Sequence, residues 1–574
     1  MSGIPSDQQP SRAVIIAGMH RSGTSLTAGL LRRLGVHLGE RLIPADDWNR
    51  HGYHEDAELV SFHGQIFRAL LPTGTRGHVD WGWSESVPLD LSGLERFRRT
   101  ALRLASARAA RSPSWGFKDP RATLLLDFWD SCLRDARFVF VYRAPWLVAD
   151  SMQRLRADLF RRHPEYAIPI WTRYNRCLLD FHRRNRERSL LLNIDALPEA
   201  LVAFKALAVE RLGLRHLPIE LGSGVDVALL SRSLAHDPLA GLTRAVHPEC
   251  HQLYAELEAA ADLPGPRGCP TGAPNPIRQP VAHPVLSVIV PTHNDATLLV
   301  DALASLERAE LRDAEVIVVD DGSTDPECRR ILASLRASGQ RILHTPNRGL
   351  AAARNTGIAA ATGRYLLPLD ADNRLLPGFV ETAAAILDSN PAVGVVHSGW
   401  RTFGGQNGVV HGRPFRINKM AYCNEIDACA VFRRSLWADL GGYHETMTGF
   451  EDWEFWLHAH ARNWGFELVT EPGFEYRVRP ESLVRRSNQL GTRHRLRQQI
   501  LERHADLLRE QMPGALRWCC AEVFTLLPAR IAERWERALI QIWYHLAWEI
   551  FHFALDLVHV RSRTVVTRLR DLYK

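Results

Sequence analysis

The segment from Ala261 to Pro284, ADLPGPRGCPTGAPNPIRQPVAHP, limits the folds open to this chain more than any other stretch. From Pro264 onward a proline falls every two to four residues. Each proline fixes its own φ, removes a backbone donor and biases the residue before it away from helix. Neither a helix nor a central strand can run through that spacing. The segment reads as a semi-rigid extended spacer that reaches roughly 70 Å at about 3.1 Å per residue. Structureless loops this long are uncommon inside compact domains, so it is expected to divide the chain. A chain of 574 residues also exceeds what one hydrophobic core usually serves. The expected order is a disordered tail over 1–10, an α/β domain over 11–260, the Pro-rich linker over 261–284, a second α/β domain over 285–500 and a helical extension over 501–574.

Charge and cysteine usage narrow the function classes. The net charge is +7, and lysine occurs only at Lys118, Lys205, Lys419 and Lys574, so the cations are almost all arginine. Arginine suits planar, bidentate recognition of phosphate. No basic block is interleaved with aromatics, which disfavours nucleic acid as a partner. The nine cysteines are scattered without a Cys-x-x-Cys pair, against both a zinc site and a disulfide framework. The start, MSGIPSDQQPSR, lacks the pattern of a signal peptide, and no run is long and clean enough to span a bilayer. A cytoplasmic protein is expected.

The run AVIIAG reads as a buried parallel strand and leads directly into GMHRSGTS, Gly18 to Ser25, and a helical pattern. Strand, glycine loop and helix aim backbone N–H groups and a helix N-terminus at a phosphate. The Gly-x4-Gly spacing matches a P-loop, but Thr24 stands where that motif has lysine. A nucleoside triphosphatase needs that lysine on its terminal phosphates, so ordinary ATP or GTP hydrolysis is disfavoured. Arg21 lies within the loop instead. Farther on, Lys118-Asp119-Pro120-Arg121 precedes a helix, and RFVFVYRAPWLVADSM places Arg143 at a strand end with Ser151 eight residues later. Arg143 and Ser151 could take a second, separate phosphate.

These motifs resemble the sulfotransferases that use 3′-phosphoadenosine-5′-phosphosulfate (PAPS), over about the first two hundred residues. Arg21, Ser22, Gly23, Thr24 and Ser25 resemble the 5′-phosphosulfate loop. Arg143 and Ser151 resemble the 3′-phosphate clamp, and Lys118-Asp119-Pro120 the lysine motif of tyrosylprotein and related sulfotransferases. Sulfuryl transfer is an in-line displacement at sulfur. Developing charge on the bridging oxygen needs a cation, for which Lys118 and Arg21 are the candidates. The acceptor hydroxyl needs a base. Glu55, in an Asn-x-x-Gly-Tyr-x-Glu pattern that resembles bacterial members, is the preferred base, with Glu40 and His54 as rivals. Asp119 is expected to orient its neighbours. Trp81, Trp83 and Trp115 are candidates for an acceptor groove, against the commoner role of tryptophan as core.

Beyond the linker, LSVIVPTHND and AEVIVVDDGSTD read as two strands joined by a helix, a right-handed βαβ unit with ligands at the strand C-termini. Pro291, Thr292, Asn294, Asp320 and Asp321 fall there. A third strand delivers Asp370-Ala371-Asp372. Two carboxylates flanking one small residue suit a hard divalent cation, Mg²⁺ or Mn²⁺, which completes its shell with donor phosphates. The series Pro291-Thr292, Asp320 to Ser323, Ala353-Arg354-Asn355 and Asp370 to Asp372 resembles the large inverting glycosyltransferase family two with its GT-A, Rossmann-like fold. That resemblance implies a nucleotide-sugar donor, usually a UDP-sugar. It sets Asp321 near base and ribose, and Asp370 and Asp372 on ribose, metal and diphosphate. GFEDWEFWLHAH then resembles the family's Glu-Asp motif, in which the aspartate, here Asp452, is the catalytic base. A helix-capping carboxylate is the bland alternative. Where the family often has a histidine on metal or diphosphate, this chain has Arg477, Arg479 and Ser482, which leaves a third metal contact unassigned.

In the tail, Ala538 to Val560 keeps its polar residues on one helical face and tryptophan-rich apolar residues on the other. That helix is expected to pack on the core or in a dimer, or to lie on a membrane surface at its inner face. Together the two halves imply a transferase of sulfated glycan biosynthesis, with a glycan or glycolipid acceptor. The rival readings make the N-terminal half a P-loop phosphotransferase or a catalytically silent interaction module.

Overall fold

The computed structural model describes residues 12–46, 52–71, 77–78, 81–84, 91–133, 135–154, 159–160, 163–214, 238–266, 281–311, 313–420, 424–479 and 490–507. Most of the spacer (267–280), Ser482 and the tail helix expected over 538–560 lie outside them.

The N-terminal unit is built on four strands, β1 (Arg12–Ala17), β2 (Ser114–Lys118), β3 (Arg137–Tyr142) and β4 (Ser189–Asn193), in the order β2-β1-β3-β4. All neighbours are parallel. Their near-continuous apolar sequences fit a sheet covered on both faces. One face carries α1 (Thr24–Arg33), and the other carries α2 (Ala57–Leu70), α3 (Pro145–Arg154), α4 (Ala167–Arg184) and α7 (Pro248–Ala260), around the buried Trp129, Trp146 and Trp171. Trp115 lies in this core on β2, 2% exposed. It is therefore a packing residue and not part of a groove, because its place on the strand turns it inward. α5 (Leu197–Leu212) follows β4 and completes the α1 side of the sheet.

The C-terminal unit holds a larger mixed sheet. Its strands are β5 (Leu286–Thr292), β6 (Ala314–Asp321), β7 (Arg341–Thr345), β8 (Tyr365–Pro368), β9 (Arg374–Leu375), β10 (Val393–Gly404), β11 (Gly408–Val410), β12 (Val431–Arg433) and β13 (Gly465–Val478). The order is β9-β13-β10-β12-β8-β5-β6-β7, with β11 on β10. β8, β5, β6 and β7 run parallel, so the carboxyl ends of β5, β6 and β8 open on one edge. The crossover helices are α8 (Ala296–Arg308), α9 (Pro326–Ala337) and α10 (Leu350–Ala359), followed by α11 (Phe379–Ser389), α12 (Glu451–Ala461) and α13 (Leu490–Arg503).

The start of the Pro-rich segment is tied to the first sheet. Asn193 N donates to the Leu263 carbonyl at 2.9 Å, Leu191 N donates to Asp262 Oδ2 at 2.9 Å, and Leu192 and Leu263 form a parallel bridge. Just before it, α6 (Pro238–Val246) is shared between the units. Ala240 belongs to the first core, and Leu242 and Val246 belong to the second. Arg308 of α8 reaches across to Asp150 Oδ1 at 2.8 Å and to Gln153. Among the described residues no helix is long and apolar enough to cross a membrane.

Candidate functional sites

In the N-terminal unit the glycine loop joins β1 to α1. A Cβ on Gly18 would sit 2.1 Å from the Val141 carbonyl oxygen, and Gly23, at φ 90°, would drive one into Ile194. Only glycine lets the loop lie this close to β3 and its neighbours. Arg21 holds φ 66°, a strained conformation for a side-chain-bearing residue, and such strain concentrates at functional loops. Its Nε donates to Ser151 Oγ at 2.9 Å. The loop and the α3 serine, 130 residues apart, therefore meet. Ser22 Oγ and His20 Nδ1 are buried without a hydrogen-bond partner among the described residues, the kind of orphan that a bound anion or substrate would satisfy.

The lysine absent from the loop arrives from the neighbouring strand. Lys118, at the end of β2, donates from Nζ to Ser25 Oγ at 3.2 Å and pairs with Glu55 Oε1 at 2.5 Å. Burial holds the Glu55 carboxyl above its ordinary value, against the pull of Lys118. Of the rivals, Glu40 is 59% exposed in surface pairs with His37 and Arg111, while His54 lies against α1, 3.3 Å from where a Cβ on Gly29 would be. Asp119 is wholly engaged below the site. It accepts from the Arg121 guanidinium and from His63 Nδ1 at 2.8 Å, and His63 Nε2 in turn accepts from Trp129. Burial alone would raise the Asp119 pKa, but Arg121 and His63 outweigh it and keep the carboxylate ionised.

Arg143 leaves the end of β3 and is paired with Asp195, 3.0 Å away, whose own carboxyl burial pushes upward. The sequence offered no signal for Asp195, nor for Thr123, whose Oγ1 accepts from Gly18 N at 2.8 Å. His20 was likewise missed. Its ring stacks obliquely on Trp81, with centroids 4.4 Å apart, and burial lowers its pKa to about 3, so the imidazole is neutral. Trp81 is thus beside the loop, and the side chain of Trp83 lies outside the described set.

In the C-terminal unit the carboxyl ends of β5, β6 and β8 gather polar groups. Thr292 Oγ1 is buried without a partner among the described residues. Pro291 is the next-to-last residue of β5, opposite Val319 of β6 and beyond Ile289, the last residue of β5 that pairs with β8. Asn294 Oδ1 accepts from the backbone N–H of Thr324 and Asp325, closing the turn after β6. Asp320 accepts from Ser323 N and pairs with His344. Asp321 accepts from Thr345 Oγ1 and from the N–H groups of Arg348 and Gly349, which ties β6 to the start of α10.

Arg354 on α10 is the cation at the centre. It is buried, and it donates to Glu451 Oε1 at 2.6 Å and to Asp370 Oδ1 at 2.7 Å. Asp452, beside Glu451 at the start of α12, accepts from Asn424 Nδ2 at 2.8 Å and from Trp453 N. Trp453 and Trp456 donate from their indoles to the Met420 and Ile426 carbonyls. They pin the segment that carries Asn424 and Asp427 against α12. Burial first, then Glu451 and Asp427, raise the Asp452 pKa to about 8. Burial and Asp370 raise Asp427 to about 7, and burial raises Asp372 to about 6 despite Arg479. Asp427 carried no signal in the sequence. Asp370, Asp372, Asp427, Glu451 and Asp452 thus crowd together against too few cations.

Among the described residues no three His, Cys, Asp or Glu side chains are grouped as a metal cage. The excess of carboxylates nevertheless fits a divalent cation whose shell is largely completed by a bound diphosphate, because such a charge would relieve the raised pKa values. Asp370 and Asp372 are the residues that would hold it.

Residues 287–449 match the family model described as Glycosyl transferase family 2. The C-terminal unit is a glycosyltransferase family 2 domain. "Uncharacterized protein y4gI" of Sinorhizobium fredii is 28% identical over 186 residues, covering 31% of this chain and 20% of that protein. "GalNAc(5)-diNAcBac-PP-undecaprenol beta-1,3-glucosyltransferase" of Campylobacter jejuni is 36% identical over 103 residues, 17% of this chain and 33% of that one. The matches thus span a fifth and a third of those relatives' lengths. The solved structure of S. aureus TarS 1-349 in complex with UDP-GlcNAc is 20% identical, covers 41% of this chain and 73% of that one, and superposes with a TM-score of 0.34, too low to bear on substrate.

Proposed function

We propose that the chain is a bifunctional transferase of sulfated glycan biosynthesis. The glycosyltransferase domain would move a sugar, with inversion, from a nucleotide diphosphate donor to a glycan or glycolipid hydroxyl. Asp452 is the base: it opens a buried helix, is oriented by Asn424, and carries a raised pKa suited to taking a proton near neutrality. Arg354 holds Asp370 and Glu451 in place for the donor. Asp370 and Asp372 would hold a divalent cation, Mn²⁺ or Mg²⁺, which would supply charge neutralisation for the departing diphosphate. The Campylobacter relative, named for an undecaprenol-linked saccharide, supports a lipid-carried acceptor.

The N-terminal unit would transfer a sulfuryl group from PAPS. The observation that carries this reading is the delivery of Lys118 from β2 onto Ser25, which restores to a lysine-less loop the cation that a bridging oxygen needs. Arg21 and Ser151 meet at the loop, Arg143 stands at the adjacent strand end, and Glu55 is within reach of the same ammonium. Glu55 would accept the acceptor's proton while Lys118 stabilises the leaving phosphate. Proximity of the pair lets the proton and the charge move in one site.

Mass spectrometry of surface saccharides from a strain lacking this chain tests the proposal. Loss of one sugar together with its sulfate is the expected outcome. Loss of the sugar alone, with sulfation intact, would leave the N-terminal unit without the proposed reaction.

A further inference from the structure

Arg477 and Arg479 stand two apart at the end of β13, yet they are held in different ways. Arg477 is buried. Its Nε donates to the Asp372 carbonyl at 2.9 Å and its Nη2 to Asp301, which also binds Arg374. That guanidinium is locked into the framework beneath the site. Arg479 is held by two carboxylates. Nη1 and Nη2 lie 3.0 and 3.1 Å from Asp295 Oδ1 and Oδ2, and Nη2 also lies 2.8 Å from Asp372 Oδ2. Its Nε is buried without a partner among the described residues, and its side chain is 30% exposed. One oxygen of the Asp-x-Asp pair that a donor-bound cation requires is thus already bound by a side chain that is partly open to solvent.

We propose that Arg479 is an exchangeable counter-cation of the donor site, resting on the glycosyltransferase reading above. Without donor it neutralises Asp372, and Asp295 anchors it. On donor binding the guanidinium leaves Asp372, remains on Asp295 and donates its freed N–H, with the orphaned Nε, to the diphosphate. The exchange replaces one positive charge on Asp372 by another, so the crowded carboxylates are never left without a cation. A bare divalent ion meets a carboxylate already paired, and an ion arriving with a diphosphate finds an acceptor ready for the displaced guanidinium. Binding of metal and nucleotide is therefore coupled through one residue of this chain.

The test is binding on the full chain, not turnover. Mn²⁺ is titrated by electron paramagnetic resonance with and without UDP, with GDP in parallel, and the nucleotides are titrated by calorimetry. In the wild type Mn²⁺ should bind weakly alone and tightly with nucleotide. Arg479→Ala should bind Mn²⁺ alone about tenfold or more tightly, because a neighbouring positive charge has gone, and should bind the Mn²⁺–nucleotide about tenfold or more weakly. Asp295→Asn, which removes the anchor and leaves Arg479 on Asp372, should weaken nucleotide binding without strengthening Mn²⁺ alone. This second variant keeps the inference open to test if the first folds poorly. Unchanged Mn²⁺ affinity in a folded Arg479→Ala, or unchanged nucleotide affinity in both variants, overturns the inference while leaving the donor reading intact. A wild type that binds neither nucleotide with Mn²⁺ overturns both.

Discussion

Lys118 and Glu55 form an ion pair at the mouth of the glycine loop, 63 residues apart in sequence and joined by 2.5 Å between Nζ and Oε1. The two groups have opposite duties in the proposed sulfuryl transfer, and Lys118 opposes the rise that burial imposes on the Glu55 carboxyl. Replacing Lys118 by alanine strands a largely buried carboxylate, which should cost about 1–3 kcal/mol of stability and sharply weaken binding of adenosine 3′,5′-bisphosphate. Glu55→Gln should keep nucleotide affinity within a few-fold and abolish turnover. Calorimetric titration of both variants distinguishes these roles, and equal loss of binding in both would make the pair structural.

Arg354 is the buried link between α10, Asp370 and Glu451. Arg354→Met removes a guanidinium from two carboxylates and leaves both uncompensated. The expected destabilisation is on the order of 3–5 kcal/mol, read as a fall in thermal midpoint of the glycosyltransferase domain. Arg354→Lys should recover only part of it, because a point charge cannot hold both carboxylates in the same geometry.

Asp452 gives a prediction with a definite sign. Its folded pKa, raised to about 8 chiefly by burial, lies above the ordinary value near 3.8. Between those values the folded state holds a proton that the unfolded state has released. Stability from this group is therefore full below about pH 4, falls progressively as pH rises and is gone above about 8. Asp452→Asn should match wild type in thermal midpoint near pH 4 and gain on it steadily as pH rises to about 8, where it should be the more stable by on the order of 1–2 kcal/mol, while sugar transfer is lost at every pH. A midpoint difference that does not grow with pH would contradict the assignment.

The contact between the units can be measured as well. Arg308 meets the almost fully buried Asp150, the residue before Ser151. A double-mutant cycle of Arg308→Gln and Asp150→Asn should show a coupling of about 0.5–3 kcal/mol in unfolding. Strict additivity would mean that the pair contributes nothing to holding the units together.

Much of this arrangement was legible in the chain. Apolar runs ending in Gly18, Arg143 and Asp321 announced parallel strands, because a doubly covered sheet leaves its mark as uninterrupted valine and isoleucine. The spacing of Gly18 and Gly23 announced the loop between strand and helix, and the structure adds that it lies close against β3. What the sequence hid was pairing at a distance. Asp195 opposite Arg143, Thr123 under Gly18 and Asp427 facing Asp452 have no local periodicity, and only the folded chain brings them together. Trp115 shows the converse. Composition made it a candidate for binding, but its register on β2 makes it core. The proline-rich segment gave no sign that α6, just before it, lends Leu242 and Val246 to the second core.

The most direct test of a chain with two separate nucleotide sites is one calorimetric titration of the full-length protein with adenosine 3′,5′-bisphosphate, run alone and again with saturating UDP, or GDP, and Mn²⁺. The account predicts one equivalent bound per chain in both runs, abolished by Arg21→Ala and unaffected by Asp370→Asn. No binding, or displacement of the bisphosphate by the second nucleotide, would contradict it.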